Sequence, residues 1–476
     1  MGEVLTRVLS TLAARFAGTP ARVMVAGGAV RDFVLGLPPR DIDLLIESEL
    51  RDETEILRVL ALLSGMEPVV FDRRPPATHR VVVEGVVVDT SFCRPGALVG
   101  ALERRDFTLN AMALPLAFAV PALESLLVDP FGGLADLRAG RIRPTTGRSL
   151  DDDPLRMLRA VRLASTLPGF ALDESLAGTI RESAGRLVEP AAERVQAEME
   201  IIFRGPRAGE AVRSMDALGL LAPIFPELQC LRGLEQPARH HDHDALEHSL
   251  RAVEAADDLA GGCPELGTGA LSEPDRTVLK WAALFHDVGK AATAGRGDDG
   301  ELHFYGHETV SASLAERAFA RLRVPSRIGD PAVRLIDLHL RLGALASAGA
   351  GERPIRRVVR AAGDTLPLLT LLSLADRRSS GGERSEERTT ALVDVCRRAL
   401  AVRDDVEAAL SSPPLLDGRE IMSILGLAPG PRVGSVARWL ERLRAERAVS
   451  TREEAEALLR SLPPARVRDG RPRRPR

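Results

Sequence analysis

Hydrophobic positions in the first 145 residues or so switch between a period of two and a helical period. Val23 to Ala26 reads as a short apolar strand running into Gly27-Gly28, Ala29 to Leu35 as a helix, and Asp41 to Ile46 as a second strand. Two valine triplets, Val81 to Val83 and Val86 to Val88, flank Glu84-Gly85 and predict a hairpin with a two-residue turn. From about residue 150 the period of two fades, and helix follows helix, punctuated by proline and glycine. The expected fold class is α+β: a small mixed-sheet head followed by an all-α neck and further all-α regions. Looser composition near 230–239 and 261–272 marks connections, and the final PPARVRDGRPRRPR is expected to be a disordered basic tail.

A chain of 476 residues has room for two to four domains. Its net charge of −3 excludes a protein that coats nucleic acid by bulk charge, so any RNA contact must come from local patches. The positive charge is arginine apart from Lys280 and Lys290. Cys93, Cys230, Cys263 and Cys396 form no CxxC pair, which argues against a thiolate zinc site or a disulfide framework and suits a reducing cytoplasmic setting. The first residues read as an amphipathic helix rather than a secretory signal. The apolar stretch 111–127 is interrupted by Pro115 and Pro121, so no membrane span is expected.

Chemistry concentrates first in VAGGAVRDFVLGLPPRDIDLLIE, residues 25 to 47. Gly27 and Gly28, between a strand and a helix, let backbone N–H groups approach a triphosphate, and Arg31 can add a charged contact. Asp41 and Asp43 flank Ile42 on a strand, so both carboxylates face one side and Ile42 faces the core. Such a pair repels unless a cation lies between, and Mg2+ takes oxygen ligands of this kind. Asp89, read as ending the second valine strand, is a candidate third carboxylate or an ordinary turn residue.

GGAVRD followed by DID resembles the signature of the nucleotidyltransferase superfamily that includes DNA polymerase beta and the tRNA CCA-adding enzymes. Glu103 to Ala113, ERRDFTLNAMA, is similar to the RRDFTINAMA motif of bacterial CCA-adding enzymes and poly(A) polymerases. Asp151 to Arg162, DDDPLRMLRAVR, is similar to their EDPLRILRAVR helix, with Asp152 where the family usually has Glu. Glu193 to Glu200, ERVQAEME, resembles the ERI-x-x-E segment beyond. The motifs keep family order over roughly residues 20 to 230. The resemblance implies that Arg104, Arg105, Asp106 and Asn110 reach ribose and triphosphate. It also implies that Asp153 and Arg156 select the base, with Arg159 and Arg162 continuing their helix face toward phosphates. Asp with Arg offers paired acceptors and donors, and residues three apart on one helix share a face.

The second half carries HHDHDALEH at 240–248, an apolar helix ending in His286-Asp287 before Val288-Gly289-Lys290, YGHE at 305–308, and LLTLLSLADRR at 368–378. His248, His286, Asp287 and Asp376 make an H…HD…D set that resembles the HD superfamily of metal-dependent phosphohydrolases. His243 is the alternative to His248, and His307 an additional ligand candidate. Imidazole mixed with carboxylate suits a transition-metal ion such as Ni2+, Mn2+ or Co2+. One group of bacterial CCA-adding enzymes carries such a domain behind the head, and in those relatives it implies phosphodiesterase, nucleotidase or phosphatase activity.

The expected organisation is a nucleotidyltransferase head at 1–147, a helical neck at 148–232, an HD domain at 233–395, and a helical C-terminal region with a basic tail at 396–476. The expected activity is untemplated addition of CMP and AMP from CTP and ATP to a tRNA 3′ end, with Mg2+ at the head. CC-adding, A-adding and poly(A) polymerase variants stay open, as does an HD phosphohydrolase with a vestigial RNA-binding head. A tRNA acceptor stem could be tracked by Arg181, Arg186, Arg194, Arg204 and Arg207, by Arg353, Arg356, Arg357 and Arg360, and by the tail.

Overall fold

The computed structural model describes residues 3–19, 21–49, 53–72, 77–117, 123–236, 243–298, 300–380 and 385–462. The basic tail, His240, His241 and Pro121 lie outside them. The chain divides into two compact units: Met1–Glu198 with Ser214–Ile224, and Met199–Arg213 with Phe225–Arg476.

Six strands build the sheet of the first unit: β1 (Arg22–Ala26), β2 (Asp41–Glu47), β3 (Val69–Asp72), β4 (Thr78–Val83), β5 (Val86–Cys93) and β6 (Ala113–Pro115). Their order is β3-β4-β5-β2-β1-β6. The β2/β5 pair is parallel and the remaining pairs are antiparallel, giving a mixed sheet. The valine hairpin forms at the expected turn: Val83 faces Val86, and Glu84 and Gly85 both take positive φ, as a twist-matched two-residue turn requires. Met24, Val25, Ile42, Leu44 and Ile46 are fully buried, and the amphipathic helix Glu3–Phe16 buries Leu5, Val8, Leu9, Leu12 and Phe16.

Two local expectations are corrected. Asp89 does not end its strand, because β5 runs on to Cys93. DDDPLRMLRAVR is not one helix: Ser149–Asp152 is a short helical turn, and a new helix starts at Arg156 and runs to Thr166. Pro154 is the cause. Its ring disfavours helical backbone at the preceding residue, and Asp153 is extended at φ −154°, ψ 102°. Asp153 and Arg156 therefore do not share a helix face.

Among its described residues the second unit is mainly helical, with a two-residue ladder pairing Gly295–Arg296 with Leu302–His303. Trp281, on the helix Glu273–Phe285, sits among Phe203, Phe225 and Phe319 with edge-on ring centroids 4.8, 5.7 and 5.1 Å away. A small separate core, Leu416, Ile421, Leu440, Val449, Ala455 and Leu459, holds the last three helices together. The stretch Glu352–Ser379 has the length and apolarity of a membrane span. It is, however, two helices joined by a 3-10 turn at Gly363–Thr365, and 67% of its most apolar window is buried within the protein.

Candidate functional site

Strand register builds the first site. Asp43 of β2 lies beside Asp89 of β5, and Asp41 stands two residues earlier on β2, so the three carboxylates share one face while Ile42 and Val88 are buried on the other. Partial desolvation, then repulsion from Asp43 and Asp89, raises the Asp41 carboxyl above the usual range. A set of hard oxygen donors under mutual repulsion fits a divalent cation of the magnesium type. Asp43, Asp89, Thr78, Ser91, Arg104 and Arg105 line a cleft of ≈ 280 Å³.

Gly27 lies against two of the cleft's lining residues, Asp43 and Arg105. At φ +75° it holds a conformation that favours glycine, and a Cβ there would come within 2.2 Å of Arg105 Nη1 and 2.3 Å of Asp43 Oδ2. Arg105 Nη1 itself bonds Asp43 Oδ2 at 2.6 Å. The Gly27 amide is not available to a phosphate, contrary to expectation: it donates to the Met112 carbonyl at 3.2 Å. The Arg31 guanidinium covers Gly28, with Nη2 3.5 Å from where a Cβ would stand.

The RRDFTLNAMA segment ties this cleft to the helices that follow. Arg31 Nη1 donates to Asn110 Oδ1 at 3.0 Å, and Asn110 Nδ2 donates to Asp106 Oδ1 at 2.9 Å. Arg159 reaches Asp106 Oδ2 at 3.3 Å and Glu198 Oε1 at 3.0 Å, and Arg162 pairs with Glu198 at 3.1 Å. Burial opposes charge on Asp106, yet Arg159, the Asn110 hydrogen bond, Arg156 and Arg162 together hold its carboxyl below the usual range. Arg159 and Arg162 are thus engaged within the protein. Arg156 is anchored by Ser149 Oγ at 2.8 Å and by the Arg104 carbonyl at 2.5 Å. Asp153 pairs with Arg194 at 2.6 Å. Glu198 went unrecognised in the sequence, although it lies inside the quoted ERVQAEME; a lone Glu in an amphipathic helix carries no signal until its two arginine partners are placed.

Several arginines proposed for RNA have carboxylate partners: Arg186 with Glu189 and Asp151, Arg204 with Glu200, Arg207 with Glu210, Arg356 with Glu352 and Asp405, and Arg357 with Glu446. The surface they offer to phosphate is smaller than their number suggests.

In the second unit, Asp287 stands between four imidazoles. Its Oδ2 is 3.2 Å from His248 Nε2 and 3.2 Å from His286 Nε2, while its Oδ1 is 3.1 Å from His307 Nε2 and 3.8 Å from His339 Nε2. Asp376 Oδ1 closes the first side, 3.1 Å from His248 Nε2. His286, His307 and His339 each direct Nδ1 at a carbonyl three residues back, at 2.8, 2.7 and 2.7 Å, and His248 Nδ1 meets Ser379 Oγ at 3.1 Å. With Nδ1–H spent on those carbonyls, Nε2 presents a lone pair to the centre, the arrangement a metal-bound histidine needs. The Nε2 atoms of His307 and His339 have no hydrogen-bond partner although buried. The donors form two triads that share Asp287, His248–His286–Asp287 and Asp287–His307–His339, and both fit a divalent transition-metal ion.

Burial works against charge on His286, but Asp287 and Asp376 beside it push its pKa up to about 10. Burial and then the His286 charge push His339 down to about 3. His243, the alternative ligand, stacks on the His248 ring at 6.0 Å instead. His339 was missed in the sequence: it ends the helix Ser326–Leu338 with no motif around it, and only packing brings it to Asp287. Gly289 of the HD–VGK run has a steric role, since a Cβ there would meet the His307 carbonyl and the Ser311 amide at 2.6 Å.

Residues 78–143 match the poly A polymerase head domain, 169–231 the "probable RNA and SrmB-binding site of polymerase A", and 245–381 the HD domain. An A-adding tRNA nucleotidyltransferase of Deinococcus radiodurans is 36% identical, with 92% of this chain and 95% of the relative covered. A CC-adding tRNA nucleotidyltransferase of Thermus thermophilus is 33% identical over 93% and 94%. A multifunctional CCA protein of Azoarcus is 31% identical over 84% and 93%. In fold, the chain is similar to a CCA-adding enzyme in its apo form, with a TM-score of 0.63 at 19% identity over 96% of this chain and 94% of that one. It is also similar to the Thermotoga maritima CCA-adding enzyme complexed with tRNA, with a TM-score of 0.61 at 19% identity over 96% and 95%. Carboxylates on one sheet face beside Gly27, the RRDFTLNAMA connector and the HD cluster thus occur in a chain that belongs to the tRNA nucleotidyltransferase and poly(A) polymerase family, with an HD domain following its head.

Proposed function

We propose that this enzyme builds the CCA end of tRNA, transferring CMP and AMP from CTP and ATP in the cytoplasm. The observation that carries the proposal is the bond between Asp43 and Arg105 in one cleft, packed so close to Gly27 that no Cβ fits there. In the reaction the terminal tRNA hydroxyl attacks the α-phosphate and pyrophosphate leaves. Asp41 and Asp43, with Asp89 as third carboxylate, would hold Mg2+, which lowers the barrier by activating the hydroxyl and neutralising the departing charge. Arg104 and Arg105 line the same cleft as Asp43 and Asp89 and would supply phosphate and ribose contacts. Asp106 and Asn110 hold Arg31 and Arg159 in place around them. Asp153, fixed by Arg194, and Arg156, fixed by Ser149, present preset acceptors and donors to the base edge, so selection needs no nucleic-acid template.

The test supplies purified protein with tRNAs ending before C, after C, after CC and after CCA, and each nucleotide singly. Incorporation of both C and A that stops at CCA supports the full activity. A second reading, addition of the terminal A alone, is favoured by the 36% identity to an A-adding enzyme over 92% of this chain. It predicts AMP transfer to tRNA ending in CC and no CMP transfer to any substrate.

The HD centre is proposed to be a phosphohydrolase using two divalent ions such as Ni2+, Mn2+ or Co2+, held by His248, His286 and Asp376 on one side of Asp287 and by His307 and His339 on the other. Lys290, 2.6 Å from Asp287 Oδ2, places a positive charge beside the cluster, suited to a phosphate. The two activities should separate: Asp43→Ala should abolish nucleotide addition and spare phosphatase activity, and loss of both would contradict two independent sites.

A further inference from the structure

Arg80 lies on β4 directly opposite Asp89 on β5, outside the GGAVRD, DID and RRDFTLNAMA segments. Its Nε donates to Asp89 Oδ1 and its Nη2 to Asp89 Oδ2, both at 2.7 Å, so the planar fork occupies both carboxylate oxygens. The neighbouring Asp43 has Oδ2 held by Arg105 Nη1 at 2.6 Å. Two guanidiniums therefore cover three of the four oxygens of the register pair Asp43 and Asp89. Both arginines remain partly open, with side chains 34% and 22% exposed.

These oxygens are the ones a cation at the head would need. A cation bound at them meets the two guanidiniums as competing positive charges, and a displaced guanidinium finds on a triphosphate the same paired-oxygen geometry it left. We propose that Arg80 is a triphosphate-binding residue that moves, together with Arg105, from the carboxylates to the incoming nucleotide as metal binds. The exchange keeps the empty head internally neutralised and makes metal and nucleotide enter together: each weakens the arginine–carboxylate contacts that oppose the other. By linkage the coupling is reciprocal. The proposal rests on the head being the nucleotidyl-transfer site.

The test uses the full-length chain without tRNA, with Mn2+ as an EPR-visible ion and radiolabelled ATP in equilibrium dialysis. Head sites are defined as the Mn2+ sites lost in Asp43→Ala. Arg80→Gln should bind Mn2+ at those sites several-fold more tightly than wild type when no nucleotide is present, because a competing cation is gone. It should bind ATP with Mn2+ roughly tenfold more weakly, the scale of one lost charge-assisted hydrogen-bond pair, and Arg80→Lys should recover part of that loss. A residue that merely braces Asp89 would give the opposite sign for the metal. Unchanged or weaker Mn2+ binding in Arg80→Gln, or unchanged ATP affinity, overturns the exchange while leaving the head's activity standing. If Asp43→Ala loses neither Mn2+ sites nor nucleotide addition, the reading of the head fails and the exchange with it.

Discussion

Lys280, one of two lysines in the chain, is fully buried on the helix Glu273–Phe285. Its Nζ lies 2.6 Å from Asp257 Oδ1 and also donates to the Gly205 carbonyl, while Asp257 Oδ2 accepts the Gly209 amide at 2.6 Å. The pair thus holds both ends of the turn between the helices Ala192–Arg204 and Ala208–Ala217. Burial pushes the Lys280 pKa down and the Asp257 pKa up, and each partner partly offsets the other's cost. At 2.6 Å and an effective dielectric near 20, the attraction is about 6 kcal/mol, most of which desolvation consumes. Removing one partner leaves the other charge buried alone, so Lys280→Met should cost about 3–5 kcal/mol. Asp257→Asn combined with Lys280→Met should cost far less than the sum of the single changes, because Asn can still accept the Gly209 amide and no charge is stranded. Urea unfolding followed by tryptophan emission measures this, since both tryptophans, Trp281 and Trp439, belong to the second unit. A Lys280→Met cost below about 1 kcal/mol, or additive losses in the double variant, would refute the reasoning.

Three further outcomes follow from the sites. Gly27→Ala should reduce nucleotide addition by about two orders of magnitude or more and also lower melting, because its Cβ collides with the Arg105–Asp43 contact and its backbone sits at positive φ; near-normal turnover would show that the contact is dispensable. Asp106 has a depressed pKa in the fold, so its stabilising effect is present above the unfolded value near 3.9 and is lost as pH falls through the folded value. Asp106→Asn should therefore melt below wild type at pH 7, with the gap closing below about pH 4; a gap independent of pH would contradict the ion-pair account. Asp287 and Asp376 beside His286 favour a proton on its ring in the metal-free centre, and a metal needs the ring neutral. Mn2+ uptake at the HD centre should release protons, read with an indicator dye in weak buffer, and His286→Ala should remove that release; proton-neutral uptake would sink the assignment.

The strand–GG–helix–DxD order was legible because its parts are local. Period two sets Asp41 and Asp43 on one face, glycine marks the tight turn, and the valine triplets set the hairpin. The HD set was largely legible for the same reason: His286-Asp287 ends an apolar helix, and His248 and Asp376 lie on apolar helices of their own. Local pattern misled at 151–162, where an amphipathic period continued across Pro154 but the backbone could not.

What the sequence determined by itself was the chemistry available and the faces on which short-range periodicity displays it. Only the tertiary structure decided which distant groups meet. Asp89 became the lateral neighbour of Asp43 through parallel pairing of strands about 45 residues apart in the chain. Arg194 took Asp153, Glu198 gathered Arg159 and Arg162, and His339 completed the second triad around Asp287. Each of these is a long-range pairing of ordinary charged or imidazole side chains. Such residues are common on solvated surfaces, and nothing in their local spacing distinguishes a partnered one; what sets them apart is burial beside an opposite charge, which exists only once the chain has folded.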